Sequence, residues 1–159
     1  IISIPTLFLM ITIISIAKPS IFLVMAVIGL IAWTNIARLI RAEMLKVRNL
    51  SYIEAATALG FSEFRIMFKH AIPNALSSVL IAIAFGIAAA ILTESTLSFL
   101  GIGVPPEVIT WGSLLSSARS SPTSWWLAVV PGFAIFITVT VYNLVGEGLT
   151  DAMDPKLRK

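Results

Sequence analysis

No cysteine occurs among the 159 residues. Disulfide frameworks, thiolate nucleophiles and cysteine metal sites are therefore excluded. Histidine occurs once, at His70, so no Ser–His–Asp set is plausible. A lone histidine beside Lys69 at a membrane surface reads as structural rather than as a ligand. The chain has no GxxxxGK[ST] loop and cannot cradle a nucleotide by that route. Charge is also scarce: 12% of the residues are charged, against about 25% in an ordinary soluble domain. What the chain has is apolar surface, with 58% hydrophobic residues and a mean hydropathy of +0.99. Long uncharged runs in such a composition point to an all-α integral membrane protein.

Four apolar segments are predicted to span, at about residues 1–17, 21–38, 75–97 and 124–146. In lipid the backbone must satisfy its own hydrogen bonds, so these are helices and not open strands. Gly86, Pro131 and Gly132 are tolerable within them. Arg38 is expected to stop the second segment. Between the segments lie a polar loop at 39–74 and a second loop at 98–123, and a tail follows at 149–159. The chain opens on Ile1 inside an apolar run and its first methionine is Met10, so a fragment of a longer protein is expected. No basic start or small-residue cleavage site suggests a signal peptide.

The basic residues set a predicted orientation. Arg38, Arg41, Lys46, Arg48, Arg65 and Lys69 lie between the second and third segments, and Lys156, Arg158 and Lys159 close the chain. Only Lys18 and Arg119 of the 11 Lys and Arg fall on the opposite side. The positive-inside rule puts the 39–74 loop and the tail in the cytoplasm and the 98–123 loop outside. Trp125 and Trp126 then sit at the outer headgroup level.

The polar island SYIEAATALGFSEFRIMFKHAIPN, Ser51 to Asn74, lies between apolar stretches. Ser51 and Glu54 have the spacing of a capping box. Helix-favouring residues follow, including Ala55, Ala56 and Ala58. Gly60 suits a left-handed C-cap. Ser62 can start a second short helix, with Glu63 in its positive first turn. Phe64, Met67 and Phe68 share a face, and Pro73 suits the first turn of the next membrane helix. The pattern predicts two short helices with a sharp turn at Gly60. Such a unit can dock in a partner's groove, or it can be a well-capped linker; the residues alone leave both open. A DNA-binding helix-turn-helix fits less well. Membrane-proximal basic residues already explain the excess of six basic over three acidic residues from Arg38 to His70.

Glu94 follows a long apolar run. A carboxylate at the bilayer centre costs about 2.5–3.5 kcal/mol on insertion scales. Glu94 is therefore expected near the outer interface, in a polar cavity, or protonated. It is a candidate pathway or gate residue, although the polar surround TESTLS favours an interfacial group capping the span. Glu147, Asp151 and Asp154 have the spacing of a solvated helical face rather than a metal cluster.

EAATALG followed by HAIPN resembles the EAA loop of permease subunits of binding-protein-dependent ABC importers. ESTLSFLGIGVPP and WGSLL, residues 94–106 and 111–115, resemble the following stretch in the dipeptide, oligopeptide and nickel permease subfamily. NLVGEGLTDAMDPKLR, residues 143–158, resembles its C-terminal ending, and SIPTL near the start also fits. The resemblance implies an ABC transporter type-1 transmembrane domain over residues 1–148, with about four of the usual six helices present. It implies a cytoplasmic coupling helix that docks on an ATPase through Glu54, Ala55, Ala56, Gly60 and Phe61, shaped by Ser51, Ser62, Pro73 and Asn74. The implied partners are a second permease subunit, two cytoplasmic ATPase subunits and an extracytoplasmic solute-binding protein. That protein would press on the loop around Pro105, Pro106, Trp111 and Trp125. The implied setting is the lipid bilayer of the cell membrane, with no nucleic acid. ATP and Mg belong to the partner ATPase, so the chain is expected to be a transport subunit and not an enzyme. The implied cargo is a di- or oligopeptide, with nickel as the alternative.

Two other classes compete. A secondary transporter or channel without an ATPase predicts intramembrane ionisable residues and often internal repeats. Only Glu94 is a candidate for the first, and no repeat is evident. A non-transport anchor or scaffold would not need the capped Ser51–Asn74 unit.

Overall fold

The computed structural model describes residues 5–16, 18, 20–105 and 107–153. All regular elements among them are helical: α1 Thr6–Ile16, α2 Ile21–Arg48, α3 Ser51–Ala58, α4 Glu63–Ile66, a π-helical turn Met67–Ala71, α5 Ile72–Phe99, α6 Trp111–Ser120 and α7 Trp126–Met153. Three helical stretches are long and apolar enough to cross a membrane: α2, the Ser78–Phe99 part of α5, and α7. The 28 residues of α2 rise about 42 Å at ~1.5 Å each, enough for the hydrocarbon core and both headgroup layers. By contrast, α1 has 11 residues, a rise of only about 16 Å, short of the ~30 Å core. Residues 1–4 and 17 of the expected first span lie outside the described residues.

The helices overrun the expected spans. Arg38 does not end α2, which continues through Arg41, Glu43 and Lys46 to Arg48. Helix formation depends on backbone hydrogen bonds, and a charged side chain on an exposed turn does not interrupt them. Local pairing helps: the Arg38 guanidinium donates to Asn35, and Lys46 donates to Glu43 at 2.8 Å. Likewise α7 runs past residue 146 to Met153. The 98–123 segment is not a plain loop, because it contains α6.

The chain divides into two compact units, Ile1–Ala32 with Gly86–Asn143, and Trp33–Phe85 with Leu144–Lys159. The core of the first unit is Met10 and Ile14 of α1, Val24, Val27 and Ile28 of α2, and Leu97 of α5, with Ile102 and Val104 packed against them. The end of α5 explains how Ile102 gets there. Gly101 has φ +77°, its amide bonds Ser98 O at 3.0 Å, and the Ile102 amide bonds Leu97 O at 3.0 Å. This is a Schellman motif, whose left-handed residue reverses the chain and seats the next apolar side chain back on the helix.

In the same unit α6 lies against α5 at Gly112, and the chain leaving α5 folds back on it at Gly103. A Cβ on Gly112 would lie 2.6 Å from Ser95 O, and one on Gly103 would collide with Ser98 Oγ. Only hydrogen fits at either place. A capping box starts α6: the Ser113 amide donates to Thr110 Oγ1 at 3.1 Å, and the Thr110 amide donates to Ser113 Oγ at 2.8 Å. In the second unit α7 meets α5 at Gly146, where a Cβ would lie 2.9 Å from the Phe85 ring. Close approach at small residues suits helices in lipid, where van der Waals packing replaces the hydrophobic drive.

Candidate functional site

Two places have the geometry of a functional site: the Ser51–Asn74 island and the surroundings of Glu94.

The island forms the predicted helix pair, but it starts differently. The N-cap of α3 is Leu50, in extended backbone (φ −86°, ψ 137°), and no side chain caps the helix. Ser51 is already helical, so its hydroxyl cannot serve as the expected capping box with Glu54. The reason is the short link from α2. Asn49 and Leu50 turn directly off its last carbonyls, at Lys46 and Val47, and Leu50 O then accepts from the Ile53 and Glu54 amides. Glu54 remains in the first turn of α3, where the helix dipole favours a carboxylate. Glu54 and Ala55 are exposed, whereas Ile53 and Ala56 turn inward.

The turn at Gly60 forms as predicted. Gly60 has φ +77°; its amide bonds Thr57 O at 3.0 Å, and the Phe61 amide bonds Ala56 O at 3.1 Å. This second Schellman motif fixes the angle at which α4 leaves α3. Ser62 is the N-cap of α4 by backbone conformation, without a side-chain bond. The Arg65 guanidinium lies 5.3 Å from the centroid of the Phe61 ring, a cation–π contact. Leu59, Phe64 and Phe68 are 74%, 75% and 62% exposed. With Phe61 they make an apolar surface that the unit's own packing leaves uncovered.

Pro73 lies in the first turn of α5, as expected, although the chain is already helical before it. From α4 the chain remains helical through the π turn Met67–Ala71 into α5. Proline has no amide hydrogen and its ring crowds the carbonyl four residues back. The wider π turn just before Pro73 accommodates it. The Asn74 side-chain amide donates to His70 O at 2.8 Å and to Tyr52 Oη at 2.9 Å. The Tyr52 and His70 rings lie 6.2 Å apart. Asn74, expected only to shape the loop, therefore ties α3 to the foot of α5. Tyr52 was missed in the sequence; a tyrosine on a short exposed helix gives no local sign of a partner 22 residues away.

Glu94 lies in the last two turns of α5, half-buried, and accepts a hydrogen bond from Ser98 Oγ at 2.7 Å. It lines a cavity of about 710 Å³ within the first unit, walled by Ile21, Met25 and Ile28 of α2, Ala90 and Ile91 of α5, and Trp111 and Leu114 of α6, among others. The walls are largely apolar, unlike the polar cavity that was one expected setting.

Trp125 and Trp126 pair edge-on at 6.1 Å and are both exposed. Pro105 precedes α6, while Pro106 lies outside the described residues. Glu147 and Asp151 are exposed on α7; Asp154 lies outside the described residues, as do Lys156, Arg158 and Lys159.

The model of the binding-protein-dependent transport system inner membrane component family matches residues 1–159. The chain is similar to the oligopeptide transport system permease protein OppC of Bacillus subtilis (strain 168), with 36% identity over 158 residues, 99% of this chain and 52% of that protein. It is 45% identical over 123 residues to a putative peptide transport system permease protein of Brucella suis, 77% of this chain and 42% of that protein. It is 36% identical over 155 residues to the glutathione transport system permease protein GsiD of Pectobacterium atrosepticum, 97% of this chain and 52% of that protein. The chain spans about half the length of the curated relatives it matches. With a helical membrane fold and a family model matched from end to end, the chain belongs to the binding-protein-dependent transport system inner membrane components.

Proposed function

We propose that this chain forms part of the membrane pathway of an ATP-driven importer of di- or oligopeptides, and that the α3–α4 elbow docks on a separate cytoplasmic ATPase. The observation that carries the docking reading is mechanical. The exposed face of Glu54, Ala55, Phe61 and Phe64 sits on an elbow locked by the Gly60 Schellman turn, and the elbow continues without a break into the membrane helix α5. A push on such an elbow reaches the span as a rigid displacement. The relatives named above are permeases for oligopeptides, peptides and glutathione, which favours peptide cargo over nickel. The basic residues around the elbow favour its cytoplasmic placement.

In this reading ATP and Mg bind the partner ATPase pair, and this chain hydrolyses nothing. Closure of the ATPases on ATP moves α3 and α4 and tilts α5, which shifts access across the membrane. A ligand biases a two-state element only by binding its states differently. ATP does so from inside, and the loaded solute-binding protein does so from outside, at the segment containing Pro105, Trp111 and Trp125. A second permease subunit completes the pathway.

The test is substitution at the elbow. Glu54→Lys reverses the exposed charge, and Gly60→Val forces a β-branched residue into φ +77°, a conformation it enters only with strain. Both are expected to lower peptide uptake at least tenfold and to reduce co-purification of the ATPase, with membrane insertion retained. Normal ATPase recovery with both variants would overturn the docking role.

A further inference from the structure

We propose that Glu94 receives the N-terminal ammonium group of a peptide in transit; this rests on the peptide-import reading above. A carboxylate half-buried against apolar walls gives up part of its hydration, which a cation or further donors can replace. The structure supplies one donor, the Ser98 hydroxyl, to one of the two carboxylate oxygens. Neither basic residue of this unit is among the cavity's lining residues. Arg119 lies over the Phe99 ring at 5.4 Å, and Lys18 is exposed. Among the described residues no cation meets this carboxylate, which is therefore open to a cationic visitor.

The cavity fits that visitor. Its volume of about 710 Å³ falls in the ~300–1,000 Å³ range of small-molecule sites. Its apolar walls accept varied side chains without selecting among them. Trp111 also lines it, and an indole face attracts an ammonium group. Every unmodified peptide carries an N-terminal ammonium whatever its sequence. One carboxylate in an apolar chamber would hold the part that all cargo shares and ignore the part that varies. Gly29, on the wall, has nothing within 4 Å of an added Cβ, so the space there is open.

The experiment uses the complete transporter with its solute-binding protein in proteoliposomes, and compares ATP-driven uptake of trialanine with that of N-acetyl-trialanine. The solute-binding protein can itself prefer one peptide, so the quantity read is the uptake ratio in the wild type divided by the ratio in Glu94→Gln. Glutamine is neutral but still accepts the Ser98 hydroxyl, so a merely structural role leaves this quotient at one. The proposal predicts a quotient of about tenfold, the size of a lost charge-assisted hydrogen bond, and a ratio in Glu94→Asp close to wild type. A quotient near one overturns the proposal. So does equal loss of both peptides in Glu94→Gln, which would mean that a protein or lipid cation occupies the carboxylate. Uptake of neither peptide by the wild type would instead overturn the peptide-import reading, and the proposal with it. Should Glu94→Gln fail to assemble, Trp111→Leu gives the same readout, with a quotient above one in support and a quotient of one against.

Discussion

Gly60 and Gly101 share a φ of +77° and close their helices by the same pair of hydrogen bonds. One shapes the elbow and the other returns the chain to the core. Gly112 and Gly103 are glycine for a different reason, because α5 backbone or the Ser98 side chain occupies the place of a Cβ. The packing role is tested against a glycine that carries neither constraint. Gly112→Ala is expected to cost about 1–3 kcal/mol through overpacking and to lower the thermal midpoint of the purified protein. Gly29→Ala, with open space around its Cβ, should leave the midpoint unchanged or raise it, because alanine exceeds glycine in helix propensity by about 1 kcal/mol. Equal shifts would contradict the packing account. WGSLL contains Gly112, but the reason for that glycine is the contact between α5 and α6, which no local pattern displays; Gly103, in LSFLGIG, is confined by Ser98 five residues before it.

At the scale of elements, legibility followed the range of the forces involved. The Gly60 turn and the Ser62 start were readable because each is settled within a few residues, whereas Phe64, Met67 and Phe68, expected on one helix, are divided between α4 and the π turn. The spacing of Ser51 and Glu54 suggests a capping box, whereas the structure forms one at Thr110 and Ser113. Ser51 was displaced from the cap by the shortness of the link from α2, a constraint set by the preceding helix. Helix ends were misjudged for a similar reason. Hydropathy falls at Arg38 and near residue 146, but backbone hydrogen bonding continues to Arg48 and Met153. The polar composition of 98–123 concealed α6. The tie from Tyr52 to Asn74 was out of reach altogether, and it can be tested on its own. Tyr52→Phe removes one hydrogen bond, worth about 1 kcal/mol. Amide exchange in residues 51–59 is then expected to rise about fivefold, with α7 unaffected. No change in α3 would show that the elbow is held by other contacts.

At the scale of the molecule, the chain combines long apolar helices with one exposed, well-braced polar elbow. The helices account for membrane residence, and the family match accounts for their kind. The elbow carries the proposed coupling, and the Glu94 cavity the proposed cargo contact. The central claim is that the elbow meets the ATPase in the cytoplasm while the α6 region faces the other side. These 159 residues hold no cysteine, so a single introduced one is the only thiol among them, and both Ala55 and Ser117 are exposed. The most direct measurement is cross-linking from Ala55→Cys and from Ser117→Cys in the assembled transporter with a short thiol-to-amine reagent. The account predicts an adduct with the ATPase subunit from position 55 and none from position 117. An adduct from position 117, or the absence of one from position 55 in a complex that retains its ATPase, would contradict it.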